Sequence, residues 1–367
     1  MKRNIFRHVY IICVCIIVCF SGFKAEAAED GLTATEAVAD INVGWSLGNS
    51  LNTHDNHTAI NNNKIENNSV YYYETLWWNP QTTQEMINTV RDAGFNTLRI
   101  PVTYYNHIDK NGVIDKEWLD RVAQVVQYGL NADMYVIINI HHDTGQGNNK
   151  YIQANLNNID VYQAYVESIW GQVARHFKDY DTRLIFEGMN ETLDMSAQNP
   201  WYGNKNSWEA MNILNQSFVD VVRKSGGKNT KRNLIINTYG AQTTNGPLEY
   251  FRLPKDSVNN HLIVGVHTYI SGEKDIKGFM GTLNYYFVKK GIPVIVGEFG
   301  TPYWTNINIR IASAIHFMNY GNMYGIKCIW WDDGGNYKLL NRKNNTWQYP
   351  DIVERMMYAI EIAKSIK

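Results

Sequence analysis

The feature that most constrains this 367-residue sequence is an alternation: eight short apolar runs are separated by longer amphipathic stretches. The runs cover residues 43–47, 97–102, 135–141, 184–189, 234–238, 263–269, 294–298 and 328–331. Helix-like patterns occupy 82–93, 116–131, 161–177, 208–225, 275–290, 308–324 and 349–367. A continuously apolar run suits a strand buried on both faces, and strands joined by helical crossovers make a parallel sheet. Eight such units in one chain fit an α/β fold of the (β/α)8 TIM-barrel type. An open doubly wound sheet is the weaker reading, because no Gly-x-Gly-x-x-Gly follows the first run. The crossover after the fifth run should be irregular, since residues 246–260 contain Pro247 and Pro254. Thr33 and Glu36 form a capping-box pattern that predicts a short helix ahead of the first strand.

The amino terminus stands outside this pattern. Lys2, Arg3 and Arg7 precede an apolar run over residues 9–20, followed by Ala25-Glu26-Ala27. That order reads as a secretory signal covering residues 1–27, and the run is shorter than the ~20 residues a membrane span requires. A secreted protein without stable membrane insertion is therefore expected, with residues 28–367 as one catalytic-size domain. Three of the four cysteines, Cys13, Cys15 and Cys19, fall in the leader and only Cys328 follows it. Stability must then come from a large core rather than from disulfides. Beyond an Asn-rich stretch at 61–68, no biased segment or linker divides the chain.

Charge narrows the partners. With 34 Lys+Arg against 35 Asp+Glu, the chain lacks the basic footprint of a nucleic-acid binder. Aromatic residues are abundant, with 11 Trp, 24 Tyr and 12 Phe. Flat rings in such number exceed the needs of one core and suit the faces of sugars.

In a barrel, polar residues at the carboxyl ends of strands converge on one mouth. They recur here: Arg99 on the second run, Asn139-Ile140-His141-His142-Asp143 on the third, Glu187-Gly188-Met189-Asn190-Glu191 on the fourth, His267-Thr268-Tyr269 on the sixth, Glu298 on the seventh and Trp330-Trp331-Asp332 on the eighth. Glu191 and Glu298 end strands that face each other across the mouth. Paired carboxylates are what glycoside hydrolysis requires, about 5–5.5 Å apart when the mechanism retains configuration. Arg99, His267 and Tyr269 would supply charge and hydrogen bonds to that pair. Glu187 reads as a buried structural partner.

Taken together, these motifs resemble glycoside hydrolase family 5, in particular the endo-β-1,4-glucanases of its subfamily 4. The carriers are Gly44-Trp45-Ser46-Leu47-Gly48-Asn49, Glu74-Thr75-Leu76-Trp77-Trp78-Asn79-Pro80, residues 93–102, Ile140-His141-His142-Asp143, residues 186–191, Gly297-Glu298-Phe299-Gly300 and Trp330-Trp331-Asp332. The resemblance implies Glu298 as nucleophile, Glu191 as acid/base and Asn190 as the residue holding the sugar 2-hydroxyl. It also implies Arg99, His141, His142, His267 and Tyr269 as supporting residues and Trp331 as a stacking platform. Two positions depart from the family pattern: Thr192 stands where Pro is usual, and Asp333 where Asn is frequent.

The expected protein is a monomeric endo-β-1,4-glucanase acting on β-glucan chains without cofactor or metal. Xyloglucan, mixed-linkage glucan, xylan and β-mannan remain alternative substrates, since a fold does not fix its substrate. A barrel that binds carbohydrate without catalysis is the competing class, disfavoured by the presence of both Glu191 and Glu298. His141-His142-Asp143 has metal-ligand residue types, but Arg99 in the same mouth would repel a cation. Asp109-Lys110-Asn111-Gly112 reads as a surface turn rather than a calcium loop. Residues 71–78, 201–208 and 303–304 bring aromatics to loops after strands, with core packing expected to claim about half of the rings.

Overall fold

A computed structural model describes residues 31–55, 70–147 and 151–365. The expected leader at 1–27 and the Asn-rich stretch at 61–68 lie outside the described residues. A short helix α1 (Ala34–Asp40) opens the described chain with the Thr33–Glu36 capping box in place. The strands β1 (Gly44–Leu47), β2 (Thr97–Ile100), β3 (Tyr135–Asn139), β4 (Leu184–Glu187), β5 (Leu234–Asn237), β6 (Leu262–His267), β7 (Val294–Phe299) and β8 (Lys327–Asp332) pair in sequence order. β8 closes on β1, and every pairing is parallel, giving a closed eight-stranded barrel.

The crossover helices follow the amphipathic stretches: α2 (Val70–Thr75) and α3 (Gln84–Asp92) after β1, α4 (Lys116–Asn131), α5 (Ile159–His176), α6 (Lys205–Lys224), α7 (Asn245–Tyr250), α8 (Glu273–Tyr286), α9 (Ile307–Tyr324) and α10 (Pro350–Ser365). α7 is one short turn-rich segment containing Pro247, and residues 251–261 run on without helix, as the prolines require. Asp109 turns the chain at 109–113 by accepting the Asn111 and Val113 amides. No described helix is long and apolar enough to cross a membrane.

The barrel interior explains where chemistry can sit. Ile137, Ile185, Ile235, Ile263, Ile295 and Ile329, one from each of β3 to β8, form a buried inner layer. Ala34, Ala37 and Val38 of α1, with Ile41 just after it, pack into the same cluster and plug the amino-terminal end. Side chains alternate along a strand, so the residue two places on returns to the inner face. Those residues are Asn139, Glu187, Asn237, Gly265, Gly297 and Trp331. An isoleucine layer thus carries a polar layer at the mouth. The alternate residues, such as Trp45, Leu98, Val136 and Phe186, join the larger core against the helices.

Candidate active site

Arg99 is the hub of the mouth. Fully buried on β2, it donates from Nε to Glu187 Oε2 at 2.7 Å and from Nη2 to Glu187 Oε1 at 3.0 Å. It also donates from Nη1 to Glu298 Oε1 at 2.7 Å and from Nη2 to Asn190 Oδ1 at 3.0 Å. Burial would push the Glu187 carboxyl up, yet the Arg99 charge and hydrogen bonds, helped by His267 and Asn237, hold it below its ordinary value. Burial likewise opposes the Arg99 charge, and Glu187 and Glu298 overcome it and raise its pKa.

Glu298 reaches the mouth through a register shift. Val264, Gly265 and Val266 pair with Val294, Ile295 and Val296, but His267 pairs with Glu298, so Gly297 is an extra residue on β7. Without that bulge, alternation would turn Glu298 outward. A Cβ on Gly297 would stand 3.0 Å from His267 Nε2, so the bulged position leaves room for the imidazole. Both Glu298 oxygens are engaged: Oε1 by Arg99, and Oε2 by the Tyr269 hydroxyl, which donates at 2.6 Å. Although Tyr269 is 40% exposed as a residue, desolvation of its hydroxyl, with Glu298 and Glu191 facing it, pushes the phenol well above its usual value and keeps it a donor.

Glu191 differs in both partners and exposure. It lies four residues beyond the last residue of β4, on the turn after the strand rather than on the strand itself. The Asn190 amide donates to Ile140 O at 2.9 Å and anchors that turn. The Glu191 side chain is 23% exposed, against 5% for Glu298. His267 Nδ1 lies 2.9 Å from Glu191 Oε1 and 3.7 Å from Glu298 Oε2. Burial would lower the His267 pKa, but Glu298 and the Glu191 contact outweigh it and raise it. One carboxylate oxygen from each glutamate and one His267 nitrogen all lie within 4.8 Å of one another. Among the described residues this is the one trio of metal-ligand type so placed. A cation there would compete with the guanidinium and the phenol on Glu298 and with the proton His267 favours.

The remaining expected residues gather beside this pair. His141 and Trp331 stack nearly parallel at 5.7 Å and 9°. Trp331 is 9% exposed, more enclosed than a platform open in a cleft. His142 packs edge-on to His141, and its Nε2 lies 3.3 Å from Asn52 Nδ2. Asp143 accepts from the Tyr104 amide and the Tyr165 hydroxyl. Tyr269 and the 101–102, 140–141 and 188–189 segments lie just past the strands in which they were expected. Of the loop aromatics, Tyr73 and Trp208 are buried, while Trp78, Trp201, Tyr202, Tyr303 and Trp304 are exposed.

Three residues to which the sequence reading gave no role support this arrangement. Asn237, at the end of β5, donates to Glu187 Oε1 at 2.9 Å and to Met189 O at 2.6 Å. Gly265 makes room for it, since a Cβ there would fall 1.9 Å from Asn237 Oδ1. Its signal was an amide at the end of an apolar run. Glu74, buried, takes a two-pronged bond from Arg121 and the Thr82 amide at 2.7 Å, fixing the loop after α2. Asn79 donates to Asn49 O at 2.8 Å and Asp333 O at 3.1 Å, tying the loops after β1 and β8 together. The departures are structural in this chain: Asp333 accepts the Gly335, Asn336 and Tyr337 amides, and Thr192 is buried with its carbonyl accepting from Gly240.

A closed (β/α)8 barrel with two such carboxylates facing one another at the mouth defines a barrel glycoside hydrolase. The family model described as cellulase (glycosyl hydrolase family 5) matches residues 55–336. The chain belongs to glycosyl hydrolase family 5. It is 34% identical over 356 residues to Endoglucanase B of Neocallimastix patriciarum, covering 90% of this chain and 72% of that protein. Among solved structures it is similar to a GH5-4 broad specificity endoglucanase from Ruminococcus champanellensis with bound cellotriose. That match has a TM-score of 0.82 at 36% identity and covers 89% of this chain and 98% of the other. It is equally similar in fold to a glycoside hydrolase 5 lichenase from Caldicellulosiruptor sp. F32, a mutant in complex with cellotetraose. There the TM-score is 0.82 at 37% identity, with 90% and 96% of the chains covered.

Proposed function

We propose that this protein is an endo-β-1,4-glucanase that cleaves β-glucan chains with retention, using Glu298 as nucleophile and Glu191 as acid/base. The observation that carries the reading is the approach of the two carboxylates, with oxygens within 4.8 Å, close to the spacing of a direct double displacement. A water between them, as inversion needs, calls for about 6.5–9.5 Å.

The division of labour follows from their partners. Glu298 accepts at both oxygens from fixed donors, an arrangement that aims an anionic oxygen at the anomeric carbon and spares it proton traffic. Glu191 touches solvent and one imidazole, so it can deliver a proton to the leaving oxygen and later take one from water. His267, favouring its protonated form, balances the negative charge left on Glu191 after that delivery. Asn190 gives its carbonyl oxygen to Arg99, which leaves its NH2 group for a substrate hydroxyl. Tyr269 holds the nucleophile during attack and remains to hydrogen-bond the ester formed.

Both carboxylates and all their partners come from one chain, so a monomer suffices. Residues 1–27 support export through the order of basic, apolar and small residues described above. A broader β-glucan range is the second reading, favoured by the broad-specificity endoglucanase and the lichenase among similar structures. The test is product release from purified β-1,4-glucan, mixed-linkage glucan, xyloglucan, xylan and mannan. Viscosity of the first two should fall faster than reducing ends appear, and Glu298→Gln should abolish it. Hydrolysis confined to xylan or mannan would overturn the substrate assignment, and unchanged hydrolysis by Glu298→Gln would overturn the mechanism.

A further inference from the structure

Trp78 combines two properties that surface residues rarely share. It is 88% exposed, and its backbone sits at φ 65°, the left-handed region that a bulky side chain seldom adopts. The position ends the helical turn of α2, with the Trp78 amide donating to Thr75 O at 3.0 Å. A glycine ordinarily fills such a place. Strain of this kind persists where the surroundings enforce it, and it concentrates at ligand-binding positions. Here the surroundings do enforce it. Glu74 is locked by Arg121 on one side, and Asn79 is bound to both neighbouring loops on the other. The ring therefore projects from a rigid base.

The ring borders a cleft of about 440 Å³ lined also by Asn49, Trp77, Asn79, Asp333 and Asn336. An aromatic face beside amides and carbonyls is the pairing a sugar ring presents in complement, apolar C–H face against polar rim. A row of rings runs from this cleft to Trp331 at the end of β8. Trp77 lies 5.6 Å from His142, His142 lies 4.5 Å from His141, and His141 stacks on Trp331.

The direction of the row assigns the sugars it would hold. The cleft lies over the seam of β8 and β1, across the barrel from β4, the strand that leads to Glu191. The leaving group must lie toward the residue that protonates it, so the opposite side receives the glycone. Resting on the functional reading above, we propose that Trp78 is a stacking platform for a glycone unit beyond those next to the scissile bond. It would thereby set a preference for longer β-1,4-glucan chains.

The experiment uses chloronitrophenyl β-cellobioside, β-cellotrioside and β-cellotetraoside, which grow on the glycone side alone. It compares wild type with Trp78→Gly, Trp78→Tyr and, as a control on the outer face of α8, Tyr285→Ala. Wild-type kcat/KM should rise with chain length. In Trp78→Gly the tetraoside-to-cellobioside ratio should fall about three- to ten-fold, while Tm holds or rises as the left-handed strain is released. Trp78→Tyr should retain most of the ratio, and Tyr285→Ala all of it. An unchanged ratio in Trp78→Gly would overturn the proposal and leave the functional reading standing. So would a wild-type ratio with no dependence on length. A wild type inactive on all three glycosides would overturn the functional reading and this inference together.

Discussion

His267 and Glu298 are register partners across β6 and β7 only because Gly297 is inserted between Val296 and Glu298. That single extra residue brings a carboxylate, an imidazole and, through Arg99, a guanidinium onto one inner face. It also makes the charge state of His267 a consequence of the fold. With its pKa raised above 6.5, the protonated imidazole stabilises the folded state. That contribution is complete below the unfolded value and is lost as pH rises through the folded value. The Tm gap between wild type and His267→Gln should thus be widest below about pH 6.5 and narrow toward alkaline pH. A gap that widens with pH would mean a buried neutral histidine instead.

Arg99 holds two carboxylates that are almost entirely shielded from water. Arg99→Met should leave both without their counter-charge and cost about 3–5 kcal/mol in urea denaturation near neutral pH. Because Glu187 is held below its ordinary value, the stability it gains from Arg99 is present above the unfolded value and lost as pH falls through the folded one. The penalty should therefore shrink in acid. A loss under 1 kcal/mol at neutral pH would show that the hub is dispensable to the fold.

Much of this architecture was legible in the chain because the physics was local or periodic. The apolar runs marked every strand, and α4 spans the residues its amphipathic pattern indicated. The mouth residues could be found because ionisable groups at the ends of apolar runs have no other reason to be there. What escaped depended on cross-strand register. Gly297-Glu298 reads as an uninterrupted continuation of β7, so the bulge that turns Glu298 inward left no mark in one strand alone. Asn237 showed only as an amide at the end of an apolar run, and its role was hidden for a related reason: its partners are Glu187 at the end of β4 and Met189 just beyond it, and only the pairing of β4 with β5 brings them together. Glu191 was placed on a strand end because its run appeared to continue, whereas β4 stops at Glu187 and the chain turns.

Trp331 is enclosed against His141 and against the backbone at Gly48, and under the proposed function the same ring would carry the apolar face of a sugar. Trp331→Ala should lower Tm by an amount equivalent to about 3–5 kcal/mol. It should also reduce kcat/KM of the folded fraction on the order of 10²-fold by misplacing the sugar. Melting and kinetics on the same preparation separate the two effects. Normal turnover by the folded fraction would reduce Trp331 to a core residue.

The most direct test of the central claim is to find where the sugar becomes attached. Glu191→Ala, incubated with an activated aryl β-cellobioside, needs no proton for departure of the aryl group and has no base to activate water. Peptide mass spectrometry should then show a cellobiosyl ester on Glu298, and Glu298→Ala should show none under the same conditions. An ester on any other residue, or hydrolysis by Glu191→Ala at the wild-type rate with no ester detected, would contradict the account.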